Sequence, residues 1–174
     1  MKGSVAVRRA RLDDLSTIVE LRLALLREYG DHPLYGNLRT DARDRAFELF
    51  RTQLLSSHET MFVAERGVEI VGVMRCVDSA VSPLLLPDRY CYVSSVYVRP
   101  AERRQGILRA LLVAAEGWCD EHGITEMRLH SAASSVAADA WEALGFEIVE
   151  HVRRRPLPAT AGTASSTRSH LEAR

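Results

Sequence analysis

The chain has 174 residues, a length that fits one domain built around a single hydrophobic core. Apolar residues make up 47% of the chain and charged residues 26%, close to the averages for folded soluble proteins, which excludes disorder, collagen and a coiled coil as descriptions of the whole chain. Lysine plus arginine and aspartate plus glutamate each number 23, so no net charge draws the chain to nucleic acid or to an anionic membrane.

The start of the chain alternates between polar and apolar residues and soon becomes charged, unlike a signal peptide. No stretch approaches the roughly 18 apolar residues of a membrane span. We therefore expect a cytoplasmic protein that binds neither nucleic acid nor membrane. Three cysteines without metal-ligand spacing stand in apolar-patterned segments, which predicts buried free thiols and no metal site; they are Cys76, Cys91 and Cys119.

The first part of the chain has the pattern of a strand and two helices. Val5 and Val7 alternate with polar residues as in a short strand, and Asp13 or Asp14 can cap the helix that follows. A second amphipathic helix is predicted from about residue 41 to 56. The stripe that the first helix buries contains one arginine among apolar residues: Leu15, Ile18, Val19, Arg22, Leu25, Leu26 and Tyr29.

The middle of the chain is rich in residues that favour strands. Two such runs, 61–64 and 70–77, flank Gly67, which can supply the positive φ of a hairpin turn, so they should pair antiparallel. The strongest strand signal is the run of β-branched and aromatic residues from 90 to 98, which Pro100 ends.

A glycine turn and the most clearly patterned helix follow that strand. The apolar stripe of this helix is Ile107, Leu111, Ala114, Ala115 and Trp118. Gly123 stands where a helix commonly ends in a left-handed residue. Beyond it we predict a strand at 127–131, a short helix capped by Ser134 or Ser135, and a last strand at 146–152.

The end of the chain differs in composition from the rest. Beyond residue 155 it consists mainly of Ala, Thr, Ser, Arg, Gly and Pro with no apolar period. Such a composition does not supply the apolar surface that a packed core requires. We therefore predict one domain over residues 1–155 and a disordered tail over 156–174.

The segment between the strand at 90–98 and the next helix has a phosphate-binding layout. Gly106 lets the backbone come close to a ligand, and the unpaired amides of the helix N-terminus favour an anion. Arg103, Arg104 and Arg109 supply counter-charge. The other interpretation is a plain turn on a solvated basic face. The segment is neither a Walker loop nor a three-glycine dinucleotide motif.

Taken together, three segments resemble the GNAT superfamily of acyl-CoA N-acyltransferases. They are V-Y-V-R-P at 96–100, the R-x-x-G-x core at 103–107, and 137–146, which ends in L-G-F, in the family's order and spacing. The predicted element order, β-α-α-β-β-β-α-β-α-β, matches as well, over residues 4–152. The resemblance implies an α/β fold with a mixed, mostly antiparallel central sheet flanked by helices on both faces.

The same resemblance implies an activity and a set of site residues. The activity is acetyl transfer from the co-substrate acetyl-CoA to a primary amine, by direct attack in a ternary complex and without a metal. Backbone groups of Val96 and Val98 would meet the pantetheine arm, and amides from Arg104 to Arg109 the pyrophosphate. The implied cofactor-binding residues are Val96, Tyr97, Val98, Arg103, Arg104, Gln105, Gly106, Ile107, Leu108, Arg109 and Ser134.

The chain departs from the family pattern at two positions. Leu108 stands where the family usually has Gly or Ala, and we expect its side chain to crowd the phosphates. Trp141 stands at the position of the usual tyrosine, and an indole donates a hydrogen bond without releasing its proton. Trp141 is thus the catalytic candidate, with core packing as its alternative role. Ser134 either caps a helix or contacts the cofactor.

No general base stands out. Where family members often use a carboxylate, the strand at 90–98 offers tyrosine and serine side chains instead. The nearby carboxylates are Asp88, Glu28 and Asp31. His130 is out of phase with Met127 and Leu129, so we expect it at the surface.

The sequence leaves alternatives open. A non-catalytic acyl-CoA-binding or regulatory module is favoured by Leu108, by Trp141 and by the missing base. A thiol- or serine-dependent hydrolase is a third possibility. The acceptor pocket falls in residues 28–41 and 78–90, which leave aminoglycosides, polyamines, amino acids and protein N-termini as acceptors. A homodimer is the commonest assembly for such a chain.

Overall fold

The computed structural model describes residues 3–132 and 136–157 of the chain. Its strands are β1 (Val5–Arg9), β2 (Glu59–Arg66), β3 (Glu69–Ala80), β4 (Arg89–Val98) and β5 (Met127–Leu129). Its helices are α1 (Leu15–Glu28), α2 (Ala42–Leu54), α3 (Ile107–His122) and α4 (Val136–Glu142). Short 3-10 turns precede α1 and α3, at Leu12–Asp14 and Pro100–Glu102.

The five described strands form one sheet in the order β1-β2-β3-β4-β5. Neighbours from β1 to β4 pair antiparallel, and β4 and β5 pair parallel because α3 carries the chain back across the sheet. The turn between β2 and β3 contains Gly67 at φ 63°, which confirms the predicted hairpin. The predicted mixed sheet is therefore confirmed.

Each face of the sheet carries its own apolar core. The core between the sheet and α3, here called the α3-side core, contains Met74, Cys76, Cys91, Val93, Leu111, Trp118 and Cys119 among its buried residues. The core between the sheet and the first two helices, here called the α1-side core, contains Ile18, Val19, Phe50, Val63, Val73 and Tyr97. Burial on both faces explains why the strands read as nearly continuous apolar runs, and it confirms the prediction of helices on both sides.

The entry to α1 differs in one detail from the expected cap. Asp14 precedes α1 directly, but its carboxylate accepts hydrogen bonds from the Arg8 guanidinium at 2.7 and 2.9 Å and from the Arg11 N–H at 2.7 Å. The hydrogen bond from Arg8 lowers the pKa of Asp14 against the opposing effect of burial. This buried carboxylate therefore ties β1 to α1 and does not cap the helix amides.

The strand predicted at 146–152 is not formed. The side chains of Ile148, Val149 and Val152 are 71%, 79% and 67% exposed, and the described residues contain no strand after β5. An apolar alternating run becomes a strand only when another strand offers its backbone groups. Of the predicted tail, the structure describes Pro156 and Leu157 only; the remaining tail residues and Ser134 lie outside the described part.

A β-bulge interrupts β4 near its end. Val73 is paired with Tyr97 and Arg75 with Ser94, so that Ser95 and Val96 together lie opposite the single residue Met74. Ser95 takes a left-handed backbone conformation with φ 52°. An extra residue in one strand bends it and changes the direction of the side chains that follow.

The bulge changes which face of the sheet each β4 side chain reaches. Before it, Cys91 and Val93 belong to the α3-side core. After it, the odd-numbered Tyr97 belongs to the α1-side core, and Val96 and Val98 pack against the α3-side core. The bulge therefore lets both ends of β4 bury apolar side chains while its middle stays polar.

The left-handed backbone of Ser95 in the bulge predicts how substitutions there change the free energy of unfolding. Replacement with glycine removes the left-handed strain of about 1–2 kcal/mol that a side chain carries there, against an entropic cost of similar size. We expect Ser95→Gly to leave the free energy of unfolding within about 1 kcal/mol of the parent. A β-branched residue is strongly disfavoured at positive φ, so Ser95→Val should destabilise by clearly more. Urea unfolding of both variants checks this; equal stability of the two would contradict the bulge.

Candidate functional site

The candidate site is a gap in the sheet beside the end of β4. β5 pairs with β4 only at Cys91, Tyr92 and Val93. From Ser94 to Val98, β4 is paired on one side, with β3, and no described strand lies along its other edge. Backbone N–H and C=O groups need partners, so this free edge can hydrogen-bond an extended ligand that carries amides.

The turn after β4 forms the second part of the site. Arg104 and Gly106 have left-handed backbones, with φ 60° and 78°, and α3 begins directly after Gly106. A Cβ built on Gly106 meets no heavy atom within 4 Å, so open space lies above this glycine. The first amides of a helix lack intrahelical acceptors, and left-handed residues in a turn bring successive N–H groups together. The turn is therefore suited to bind a phosphate group, as the sequence predicts.

The three arginines of this segment play different parts. Arg103 donates to both carboxylate oxygens of Glu28 at 2.7 and 2.8 Å, and its Nε donates to the Val98 carbonyl at 2.9 Å. Arg103 therefore joins the end of α1 to the end of β4. The side chains of Arg104 and Arg109 are exposed and form no ion pair with a described residue, which leaves them available as counter-charge.

Glu28 is unsuited to the role of general base that the sequence left open for it. Besides Arg103, the Tyr97 hydroxyl donates to its carboxylate at 3.0 Å. Both oxygens of this carboxylate are therefore engaged by protein donors, two hydrogen bonds coming from Arg103 and one from Tyr97, and neither oxygen is left to face a substrate amine. The other two candidate carboxylates, Asp31 and Asp88, are exposed in loops.

The remaining residues of the turn hold it in place through hydrogen bonds and core packing. The Gln105 amide donates to the Ala101 carbonyl at 3.2 Å and accepts from Arg66 at 2.9 Å. Ile107 is 2% exposed within the α3-side core, and Leu108 is half-buried and packs against the same core. The sequence predicts that the Leu108 side chain crowds the phosphates. In the structure this side chain packs under α3 against the α3-side core.

Trp141 is 8% exposed and belongs to the α3-side core. Its ring meets the ring of Phe146 edge to face, with centroids 5.3 Å apart. The sequence offered core packing and proton donation as alternatives for this residue, and the packing is what the structure contains.

A polar cluster on the α1 side of β4 was not predicted from the sequence. Tyr92 and Ser94 precede the bulge and reach this face, where the Ser94 hydroxyl accepts from Arg75 at 3.2 Å. Arg75 also forms an ion pair with Glu59, and the Tyr92 hydroxyl lies 3.2 Å from Nδ1 of His130. His130 is exposed as predicted, but its ring is held beside the gap. The sequence feature that could have indicated this cluster is Arg75, an arginine inside the otherwise apolar strand run at 70–77.

The three cysteines are free and buried, as predicted. The Cys119 contact favours the Cys91 thiolate, but the Cys76 contact and burial outweigh it and raise the pKa of Cys91 to about 12. The hydrogen bond to Cys91, and then burial, raise the pKa of Cys119 as well. A nucleophilic cysteine needs a lowered pKa and access to the substrate, so these thiols do not support a thiol-dependent hydrolase.

Labelling measures the burial of the thiols directly. At pH 8 we expect a thiol reagent to modify the native protein only as fast as it unfolds, and to modify all three thiols at once in urea. Because the folded-state pKa of Cys91 is raised from 9.0 to about 12, its contribution to stability is complete below pH 9 and is lost as the pH rises towards 12. Rapid modification of one thiol in the folded protein would contradict this.

The sequence matches the Acetyltransferase (GNAT) family over residues 22–146. The chain belongs to this family, as its motifs predict. No curated protein matches the chain. Among the described residues there is no cluster of His, Cys, Asp or Glu suited to hold a metal ion, and none of the described helices has the length and apolar character to cross a membrane.

Solved structures share the fold. A predicted acetyltransferase from Clostridium acetobutylicum, determined with acetyl-CoA, superposes with a TM-score of 0.74 at 17% identity, over 88% of this chain and 96% of that one. A GCN5-related N-acetyltransferase from Ralstonia eutropha JMP134 gives 0.73 at 22% identity, over 88% and 99%. The aminoglycoside 6′-N-acetyltransferase AAC(6′)-Ih from Acinetobacter baumannii gives 0.70 at 18% identity, over 90% and 100%.

Proposed function

We propose that this protein is an N-acetyltransferase that moves the acetyl group of acetyl-CoA to a primary amine by direct attack in a ternary complex. Family membership supports acyl transfer in general. The observation that carries the proposal is the continuity of the free edge of β4 with the open turn at Gly106. One elongated ligand with amides in its middle and a pyrophosphate at one end fits that combination.

The residues present fit coenzyme A. Residues 104–109 would hold the pyrophosphate, through backbone amides and with Arg104 and Arg109 as counter-charge. The edge of β4 from Ser94 to Val98 would donate hydrogen bonds to the pantetheine amides and accept hydrogen bonds from them, apart from the Val98 carbonyl, which already accepts from Arg103. Arg103 would act indirectly, because its ion pair with Glu28 fixes the turn relative to α1.

The chemistry needs little from the protein beyond position. The amine nitrogen bonds to the acetyl carbon while the carbon–sulfur bond breaks, and a thiol with a pKa of about 8.5 is a tolerable leaving group without a proton donor. Holding the two reactants in contact supplies most of the rate in such a reaction. Solvent takes the proton that the attacking nitrogen releases and supplies the proton that the thiolate takes up, so the buried Trp141 is needed only for packing.

The first test asks for the reaction itself. The protein is incubated with acetyl-CoA and pooled amines, with released thiol and a mass gain of one acetyl group as the two readouts. We expect both, on one class of amine. Tight CoA binding with no transfer to any amine would favour the non-catalytic module, for which the replacement of the usual tyrosine by a core tryptophan is the supporting observation.

A pair of glycines tests the phosphate turn. Gly106 and Gly123 flank the same helix, both have positive φ, 78° and 66°, and neither has an atom within 4 Å of a built Cβ. Each Gly→Ala change should therefore cost a similar left-handed strain of about 1–2 kcal/mol. Only Gly106→Ala should weaken CoA binding, by tenfold or more in calorimetry, because its methyl group enters the ligand's space. Equal CoA affinity of the two variants would move the phosphate site elsewhere.

Trp141→Phe separates packing from catalysis. Phenylalanine keeps an aromatic ring against Phe146 and removes the indole N–H. We expect the variant to bind CoA and to retain kcat within about tenfold, below the 10²–10⁴-fold typical of a positioned acid. If a folded, CoA-binding Trp141→Phe protein lost all turnover, the indole would be a required donor and solvent protonation would be wrong.

A further inference from the structure

Arg22 is a charged side chain placed where the fold needs apolar ones. It lies on the inner stripe of α1, one turn after Ile18 and Val19, which are 1% and 0% exposed. Its own side chain is partly buried, and burial lowers the pKa of its guanidinium. Arginine nevertheless stays charged in proteins, so a charge is held in a desolvated position.

No carboxylate compensates this charge. Within residues 3–132 and 136–157, Arg22 has neither an ion pair nor a side-chain hydrogen bond. The charged and titratable groups that act on it are Tyr35, Arg75 and Tyr92. Arg75 is already paired with Glu59. The group formed by these residues, here called the Arg22 cluster (Arg22, Tyr35, Glu59, Arg75 and Tyr92), therefore carries one excess positive charge. A desolvated charge without a partner is costly, and a bound anion offsets that cost.

The Arg22 cluster lies at the gap in the sheet. Tyr92 pairs with β5 one position before Val93, the last paired residue of β4 before the gap opens. The Tyr92 hydroxyl meets His130, the residue that follows β5. Tyr35 closes the cluster from the loop after α1, where its ring stacks on His32 at 4.6 Å and meets Tyr29 edge to face. Arg75 donates to the hydroxyl of Ser94, the residue directly before the bulge, so the cluster lies beside the bulge of β4, at the end of the gap opposite the phosphate turn.

We propose that Arg22 binds a carboxylate of the acceptor, so that the amine acetylated by this protein belongs to a molecule of the amino acid class. This rests on the proposed function and deepens it. The planar guanidinium fork matches a carboxylate with two parallel hydrogen bonds, and the Tyr92 hydroxyl can donate to the same group. An acceptor with several ammonium groups, such as an aminoglycoside or a polyamine, is repelled by the same excess charge.

The experiment uses amines matched in pairs that differ by one carboxylate. The pairs are L-phenylalanine with phenethylamine, L-lysine with cadaverine, L-alanine with ethylamine, and so on through the common amino acids. Binding is measured by calorimetry with and without CoA, and acetyl transfer is measured separately. We expect a preference of tenfold or more for the carboxylate member of at least one pair, in binding and in kcat/KM.

Variants assign the preference to Arg22. Arg22→Gln should raise KM for the preferred acid by tenfold or more and leave KM for its decarboxylated partner unchanged. Arg51→Gln, which removes an exposed arginine of α2, is the matched control and should change neither value. Arg22→Lys keeps the charge without the fork and should give an intermediate effect, which serves if Arg22→Gln fails to fold.

Three outcomes would overturn the proposal: equal binding of both members in every pair, a preference for the diamine over the acid, or an unchanged preference in Arg22→Gln. Failure of the proposed function has a different signature. It would appear as absence of acetyl transfer to every amine, and calorimetry without CoA would still decide whether Arg22 binds the carboxylate.

Discussion

The site depends on a mismatch in length between two neighbouring strands. β5 ends at Leu129 after three paired residues, while β4 continues to Val98. The backbone polar groups along the free part of β4 need partners, and a strand in that place would close the sheet. A ligand with its own amides can take the position that a strand leaves open. The bulge at Ser95 falls in this same stretch. It changes which face of the sheet the following side chains reach, and it lies at the edge of the opening.

Charged side chains are distributed unevenly along this opening, although the net charge of the chain is zero. At one end, Arg104 and Arg109 are exposed around the turn, while Arg103 is committed to Glu28. At the other end, Arg75 is paired with Glu59, while Arg22 has no ion pair with a described residue. Local fields of this kind act over about one Debye length, roughly 8–10 Å, so two anionic groups can be bound separately at the two ends. A neutral protein can thus select a ligand that is anionic at one end and an acceptor that is anionic at the other.

The elements that the sequence predicted well are those whose signal is local. The residues of β4, the stripe of α3 and the glycines at 67, 106 and 123 each carry their structural reason within a few positions. The fold and the left-handed glycine turn before α3 were therefore predictable, and phosphate binding at that turn stays a prediction. The strand at 146–152 was not, because a strand depends on a partner edge that is distant in sequence. The ion pair of Arg103 with Glu28 joins residues 75 positions apart, and nothing in either segment alone indicates it. Arg22 was visible as an arginine within an apolar stripe, but its meaning depends on which groups surround it in three dimensions.

A crystal structure of the protein with CoA would test the proposed site most directly. We expect pyrophosphate oxygens within hydrogen-bonding distance of amides in the 104–109 turn, and the pantetheine arm extended along β4 between Ser94 and Val98. We also expect the sulfur atom to lie near the bulge at Ser95, towards the Arg22 cluster. A CoA molecule bound elsewhere on the protein, or one whose pantetheine arm leaves the edge of β4 unpaired, would contradict the proposed site.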